Sequence, residues 1–272
     1  MELGTAFAYR RTMNLQHRQV GEHLRDWRQR RRLSQLDLAS EAEISARHLS
    51  FLETGRSQPS REMILHLAEQ LEIPMRERNV LLVAGGFAPI FPERLLDDPA
   101  LASARKAIDL MLESQKPYPA FAIDRNWNIA ASNGALQPMY VGVSPELLAR
   151  PVNAMRLSLH PEGLAPAIVN LAGWRAHLLH RLRSQIELTA DPKLIELQRE
   201  LLSYPAPSEP PGKNANDVVV PFKVRVGESI LSFFSTTMVF GTPLDVTLSE
   251  LALESFFPAD AETAAAVQRL SA

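Results

Sequence analysis

Residues 33–71 read LSQLDLASEAEISARHLSFLETGRSQPSREMILHLAEQL, and their spacing decides the fold of the N-terminal third. Ser34 stands before an apolar run with Asp37 three residues on, a capping-box arrangement that starts a helix. The short helix after it buries Leu38, Ala39 and Ala42. Glu43 and Ile44 make a tight connection, and Ser45 caps the next helix. That helix keeps Leu49 and Leu52 inward and stops at Gly55, which is free to turn left-handed. Ser60 caps a further helix whose stripe is Ile64, Leu67, Ala68 and Leu71. Upstream, Val20, Leu24 and Trp27 mark an amphipathic helix with Arg25, Arg28, Arg31 and Arg32 on its polar face. Downstream, Pro74 breaks the chain, and another helix runs from about Arg76 to Ala84, closed by Gly85 and Gly86. Five short helices thus fit into residues 20–86, and a very short turn joins the second to the third. This is a helix-turn-helix layout, whose second member can enter a major groove.

The ordered pattern S-Q-x-x-L-A-x-x-A-x-I-S, then L-x-x-L-E-x-G, then P-S resembles the lambda-repressor-like, Cro-type helix-turn-helix of the xenobiotic response element (XRE) family. The resemblance covers residues 20–86 and implies an all-α, five-helix domain that binds double-stranded DNA. Gln35 at the start of the second helix suits a phosphate grip. On the third helix Leu49 and Leu52 point in, so Ala46, Arg47, Ser50, Phe51 and Thr54 face outward, with Ser45 at the cap. Arg47 is the expected base reader, because an arginine bridges the O6 and N7 of guanine. Phe51 has two readings: a contact to a thymine methyl, or packing against the second helix. His48 is a weaker candidate. Arg56 and Arg61 flank the following loop and suit backbone phosphates. Arg28 joins the DNA-facing set, and the resemblance also implies an ion pair between Arg28 and Glu53. A carboxylate one residue past buried Leu52 needs a partner.

Charge supports a split along the chain. The 272 residues carry a net −2, yet residues 1–92 hold 13 Arg, no Lys and 11 acids, and residues 93–272 are net acidic. Within the first 32 residues, 8 Arg face 3 acids. A basic leading segment fits an anionic partner or a solvated helix face; guanidinium chemistry favours phosphate. At 46% hydrophobic and 22% charged, the chain is composed like a globular protein, which excludes a disordered or fibrous one. With no cysteine, disulfide scaffolds, thiolate zinc sites and Cys nucleophiles are excluded. The uncharged apolar stretch 229–244 is shorter than the roughly 20 residues of a membrane helix. The opening MELGTAFAYRR has no apolar core of signal-peptide length. A cytoplasmic protein with no membrane contact is expected.

Beyond residue 86 the pattern changes. GFAPIFPERLLDD reads as a linker whose Phe87, Ile90 and Phe91 dock on a neighbour. Asp98 caps and Pro99 opens a helix with the stripe Leu101, Ala104, Ile108 and Leu112. YPAFAIDRNWNIAASN alternates, turns and alternates again, a hairpin that feeds a helix capped by Asn133. Residues 164–203 are strongly helical, with a second start at Asp191-Pro192, and 204–212 is a Pro-rich connector. Strands are expected over 218–226, 229–240 and 246–256. The result is an α+β domain with one antiparallel sheet of about five strands. The hairpin resembles that of a PAS domain. The DDPAL helix start, the stretch NLAGWRAHLLHRLR…DP…LLSYP and the closing ESFFPADAET resemble the ligand-binding domain of MmyB-like transcription regulators almost end to end. The expected organisation is an extension at 1–19, the helix-turn-helix domain at 20–86, a linker at 87–98, a PAS-like ligand-binding domain at 99–262 and a tail at 263–272.

The resemblance implies an apolar small-molecule effector, plausibly a bound fatty acid or something similar, and no other cofactor. Trp127, Met139, Tyr140, Trp174, Leu178, Phe222, Phe234 and Met238 either line its pocket or belong to the core, and the sequence alone does not separate the two. Trp174 leads, because its helix must cover the sheet. His177 and His180 lie at i, i+3, yet they have no carboxylate partner and arginines flank them, so no metal site is expected. No nucleophile elbow, Walker-type loop or dinucleotide fingerprint occurs, so no catalytic residue is assigned and no enzyme is expected. Two readings of the C-terminal domain stand: an effector sensor in a homodimeric regulator, or a ligand-free dimerisation and protein-interaction platform.

Overall fold

A computed structural model describes residues 18–205 and 219–271, which divide into two compact units: 18–93 with 244–246, and 94–205 and 219–243 with 247–271. Residues 1–17 of the expected extension, most of the Pro-rich connector and the start of the 218–226 strand lie outside the described residues.

The first unit is helical. Helices α1 (Val20–Arg30), α2 (Gln35–Glu41), α3 (Ala46–Glu53), α4 (Arg61–Gln70) and α5 (Met75–Ala84) follow one another through short connections. Their starts are set by side-chain caps. Asp37 N donates to Ser34 Oγ at 3.1 Å while Ser34 N donates to Asp37 Oδ2 at 2.8 Å, closing the capping box on α2. Ser45 and Ser60 accept from His48 N and Met63 N and so begin α3 and α4. Every stripe residue expected to point inward is buried, from Val20 and Leu24 through Leu49 and Leu52 to Leu71. At Gly21, α1 approaches α3 so closely that a Cβ would stand 2.1 Å from Leu52 O, a place only glycine fills. Gly55 ends α3 at φ +72°, as its left-handed role requires. Phe87 packs on this core, and the Asn79 side chain accepts from Ile90 N and Phe91 N, so the start of the expected linker is held by side chains.

The second unit is an α+β domain. A 3₁₀ turn (Pro99–Leu101), capped by Asp98, leads into α6 (Ala102–Ser114). Strands β1 (Ala120–Ile123) and β2 (Ile129–Ser132) form the hairpin. Then come α7 (Ala154–Leu159), α8 (Leu171–Thr189) and α9 (Pro192–Ser203), followed by β3 (Phe222–Val226), β4 (Ser229–Val239), β5 (Ala252–Pro258) and α10 (Ala261–Ser271). All pairings are antiparallel, in the order β2-β1-β5-β4-β3, which gives the five-stranded PAS-like sheet. One face presents Phe121, Ile123, Phe222, Val224, Leu231, Phe233 and Phe256 to a core completed by α7, α8 and α9. The other face, with Ala120, Ala122 and Leu253, packs against Ile108 and Leu112 of α6.

Three local expectations are corrected. Strand β5 starts later than 246, because i to i+3 bonds from Glu250 N to Thr247 O and from Leu251 N to Leu248 O first close a helical turn. Residues 263–271 are no tail: Asp260 caps α10, and Ala266 and Val267 are buried. Asn133 caps no α-helix. Its amide ties Ala120 N, Ala135 N, Leu112 O and Tyr118 O together, and a 3₁₀ turn (Gln137–Tyr140) follows.

Candidate functional site

The outward face of α3 carries the expected DNA contacts. Arg47, Ser45, Thr54, Arg56 and Arg61 are exposed, while Ala46, His48, Ser50 and Phe51 are half-buried. Phe51 sits half-buried on this face. Its ring lies between two guanidinium groups, with Arg47 Cζ at 5.3 Å and Arg56 Cζ at 5.8 Å from the centroid, both within cation–π range. Ser45 and Thr54 are spent on the helix ends: Ser45 caps, and Thr54 Oγ1 donates to Ser50 O at 2.7 Å.

Behind this face sits a buried ion pair. Arg28 Nε and Nη2 donate to Glu53 Oε1 and Oε2 at 2.6 and 2.8 Å, in the bidentate geometry that suits arginine. The Glu53 side chain is 1% exposed. Arg28 Nη1 donates to Leu33 O at 2.8 Å, and the hydrogen bond to Glu53 holds the guanidinium above its ordinary pKa. With its nitrogens turned inward, Arg28 serves the fold; it does not stand on the DNA-facing surface. Gln35 is turned the same way: its Nε2 donates to Glu53 Oε2 at 2.8 Å, so the side chain braces α2 against α3.

In the second unit, α8 crosses the inner face of the sheet and closes a cavity of about 60 Å³. Trp127, Trp174, Leu178 and Phe222, four of the residues that the sequence left open between pocket and core, line it together with Phe121 and Phe256. The rings are arranged edge and tilt: Trp174 to Phe222 at 4.9 Å and Phe222 to Phe256 at 5.7 Å between centroids. Trp174 Nε1 donates to Ser158 Oγ at 2.9 Å, which satisfies the indole inside an apolar wall. Trp127 is held at φ +66° by the turn in which Asp124 Oδ1 accepts from Asn126 N and Asn128 N. That left-handed setting is strained for a tryptophan and aims its ring at the cavity.

The other expected lining residues fall elsewhere. Met139 is buried in the core and Tyr140 packs on it, its phenol pushed up by burial, but neither is on this wall. Phe234 and Met238 do not line the cavity. Alternation along β4 turns Leu231 and Phe233 inward and Phe234 and Met238 to the other face, where they are 40% and 42% exposed.

Sequence reasoning missed Arg181 and Glu254, the two charged side chains of the wall. The signal for Arg181 was present, since Trp174, Leu178, Arg181 and Gln185 share one helical face. Gln185 accepts from Trp127 Nε1 at 2.7 Å. His177 stacks on Trp174 at 5.4 Å, and burial, with Arg181 and His180 nearby, holds it below the usual imidazole range. Among the described residues, no cluster of His, Asp or Glu is placed to hold a metal, and no helix is long and apolar enough to cross a membrane.

No curated protein matches the chain. Two family models do. Residues 19–81 match a helix-turn-helix domain, and residues 104–270 match the ligand binding domain of MmyB-like transcription regulators. The second match spans well over half of the chain. On that ground, and on the fold and surfaces just described, the chain belongs to the MmyB-like transcription regulators, as a DNA-binding helix-turn-helix protein with a ligand-binding domain.

Proposed function

We propose that the chain regulates transcription by reading a double-stranded operator through the outward face of α3 while its C-terminal domain senses an apolar, fatty-acid-like effector. The observation that carries the sensing half is the cavity under α8, walled by Trp127, Trp174, Leu178 and Phe222 within the domain that matches a ligand-binding family. On the DNA side, Arg47 reads a base, and Arg56 and Arg61 hold phosphates, with Phe51 beneath Arg47 and Arg56. The protein acts in the cytoplasm as a homodimer without catalysing a reaction, and its half-sites lie about one helical turn apart, roughly 34–36 Å or a multiple.

The test is native mass spectrometry of the full chain, with identification of any small molecule released on denaturation. An apolar adduct is expected, and adding it back shifts operator affinity by about 5- to 150-fold, the usual range of allosteric coupling. A clean apo protein whose operator affinity no lipid moves refutes the sensing half.

One observation favours the second reading, in which the domain is a dimerisation platform. The outer face of β4 and β5 leaves Ile230, Phe234, Met238 and Phe257 exposed in a band. Under that reading the dimer persists at nanomolar concentration and operator affinity ignores small molecules.

A further inference from the structure

The polar groups on the cavity wall specify the head of the ligand as well as its apolar body. Three polar side chains reach that wall: Ser158, Arg181 and Glu254. The two charged ones are spent on each other. Arg181 Nη2 donates to Glu254 Oε1 at 2.5 Å and Nη1 to Oε2 at 3.2 Å. Thr237 Oγ1 accepts from Arg181 Nη2 at 3.1 Å and donates to Glu254 Oε1 at 2.9 Å. The guanidinium also lies 4.8 Å over the Trp127 ring. The Glu254 side chain is 4% exposed, so its charge sits inside the wall with little solvent to screen it.

An ionised carboxylate in this cavity would lose its water, find the one cation already neutralised, and stand beside a buried carboxylate. Ser158 offers something different. It is 8% exposed and its Oγ accepts from Trp174 Nε1, which leaves the hydroxyl proton to be donated. A buried donor in an apolar wall needs an acceptor, and an uncharged oxygen supplies one without the cost of taking a charge out of water.

We propose that the cavity takes an uncharged apolar ligand bearing one hydrogen-bond acceptor, a carbonyl, ester or ether oxygen received by Ser158, and that Glu254 turns away ionised carboxylates by holding Arg181. This rests on the reading of the cavity as the effector site. It narrows that effector to a neutral relative of a fatty acid. Ser158 is then the orienting residue and Glu254 the residue that sets charge selectivity.

The test uses the full chain and two small probes sized to a cavity of this volume, 2-hexanone and hexanoate, at a pH where the acid is fully ionised. Binding is followed by tryptophan emission, since Trp127 and Trp174 stand on the wall. The ketone is expected to bind at least about tenfold more tightly than the acid, the cost of placing an unpaired charge there. Ser158→Ala is expected to weaken the ketone about three- to tenfold, the worth of one hydrogen bond, without changing hexanoate. Glu254→Gln, checked for folding by its melting curve, is expected to narrow the gap by strengthening hexanoate. If that variant does not fold, the wild-type contrast and Ser158→Ala decide the matter. Hexanoate binding as tightly as the ketone overturns the charge selectivity while leaving the cavity a ligand site. If neither probe moves the emission, both the selectivity and the effector-site reading fall.

Discussion

Replacing Glu53 with alanine is the sharpest perturbation of the DNA-binding unit. Glu53 joins three elements: it receives two hydrogen bonds from Arg28 on α1 and one from Gln35 on α2, and it belongs to α3 itself. Its side chain is 1% exposed and that of Arg28 is 9% exposed, so an exposed-pair value of about 0–1 kcal/mol does not apply. Removing one partner of a buried pair strands the other charge and costs about 3–5 kcal/mol. Here Arg28 keeps one acceptor, Leu33 O, which places the expected cost at the lower end of that range. Hydrogen exchange in the full chain reads this locally. At about 1.36 kcal/mol per decade, protection of the amides of Leu24, Leu49 and Leu52 should fall by roughly two decades, while amides of β4 keep theirs. Arg28→Met/Glu53→Leu should recover most of the protection, because an apolar replacement strands no charge. A loss below tenfold in Glu53→Ala would show that water reaches the pair and would refute the reasoning.

Arg47→Ala should cost about 1–3 kcal/mol on the cognate operator and relax preference at one base position, measured by anisotropy against a set of single-base variants; an equal loss on every sequence would make Arg47 a phosphate contact. Phe51→Leu removes the ring between Arg47 and Arg56 but keeps both charges, so the salt dependence of operator binding should hold while the ratio of specific to non-specific affinity drops. Trp174→Phe loses the hydrogen bond to Ser158 and leaves part of the indole volume empty, and calorimetry should show a loss of about 1–3 kcal/mol in the C-terminal domain. Glu200 is held below its usual value, chiefly by its hydrogen bond from Arg156, so the folded domain binds fewer protons there than the unfolded chain. That contribution is present above the ordinary glutamate range and lost as pH falls through the lowered value. Glu200→Gln should therefore flatten the acid limb of the melting-temperature profile and leave the neutral region's slope unchanged.

What could be read directly from the residues was whatever local chemistry settles. The caps at Ser34, Ser45 and Ser60 and the stripes of α1 to α4 are fixed by neighbours within one or two turns, and the structure repeats them residue for residue. The hairpin at 120–132 was legible for the same reason, as its turn is closed by Asp124 acting on residues two and four places on. The failures lie where a distant partner decides. Phe234 and Met238 share a strand face, but which face meets the core is set by pairing with β3 and β5, not by the strand's own alternation. The hydrogen bond from Gln35 to Glu53, 18 residues on, is likewise not written in the local sequence. Glu254 is the clearest case. It lies between Ala252 and Phe256 on the inward face of β5, where a lone carboxylate would argue against the strand assignment altogether. Arg181 on α8 makes the position tenable, 73 residues away in sequence. A charge placed on the inward face of a strand and answered by one specific cation does little for stability that a leucine would not do better. Under the proposal its use is in what the cavity refuses, and this is why the pair, rather than the surrounding aromatic wall, is where specificity should be sought.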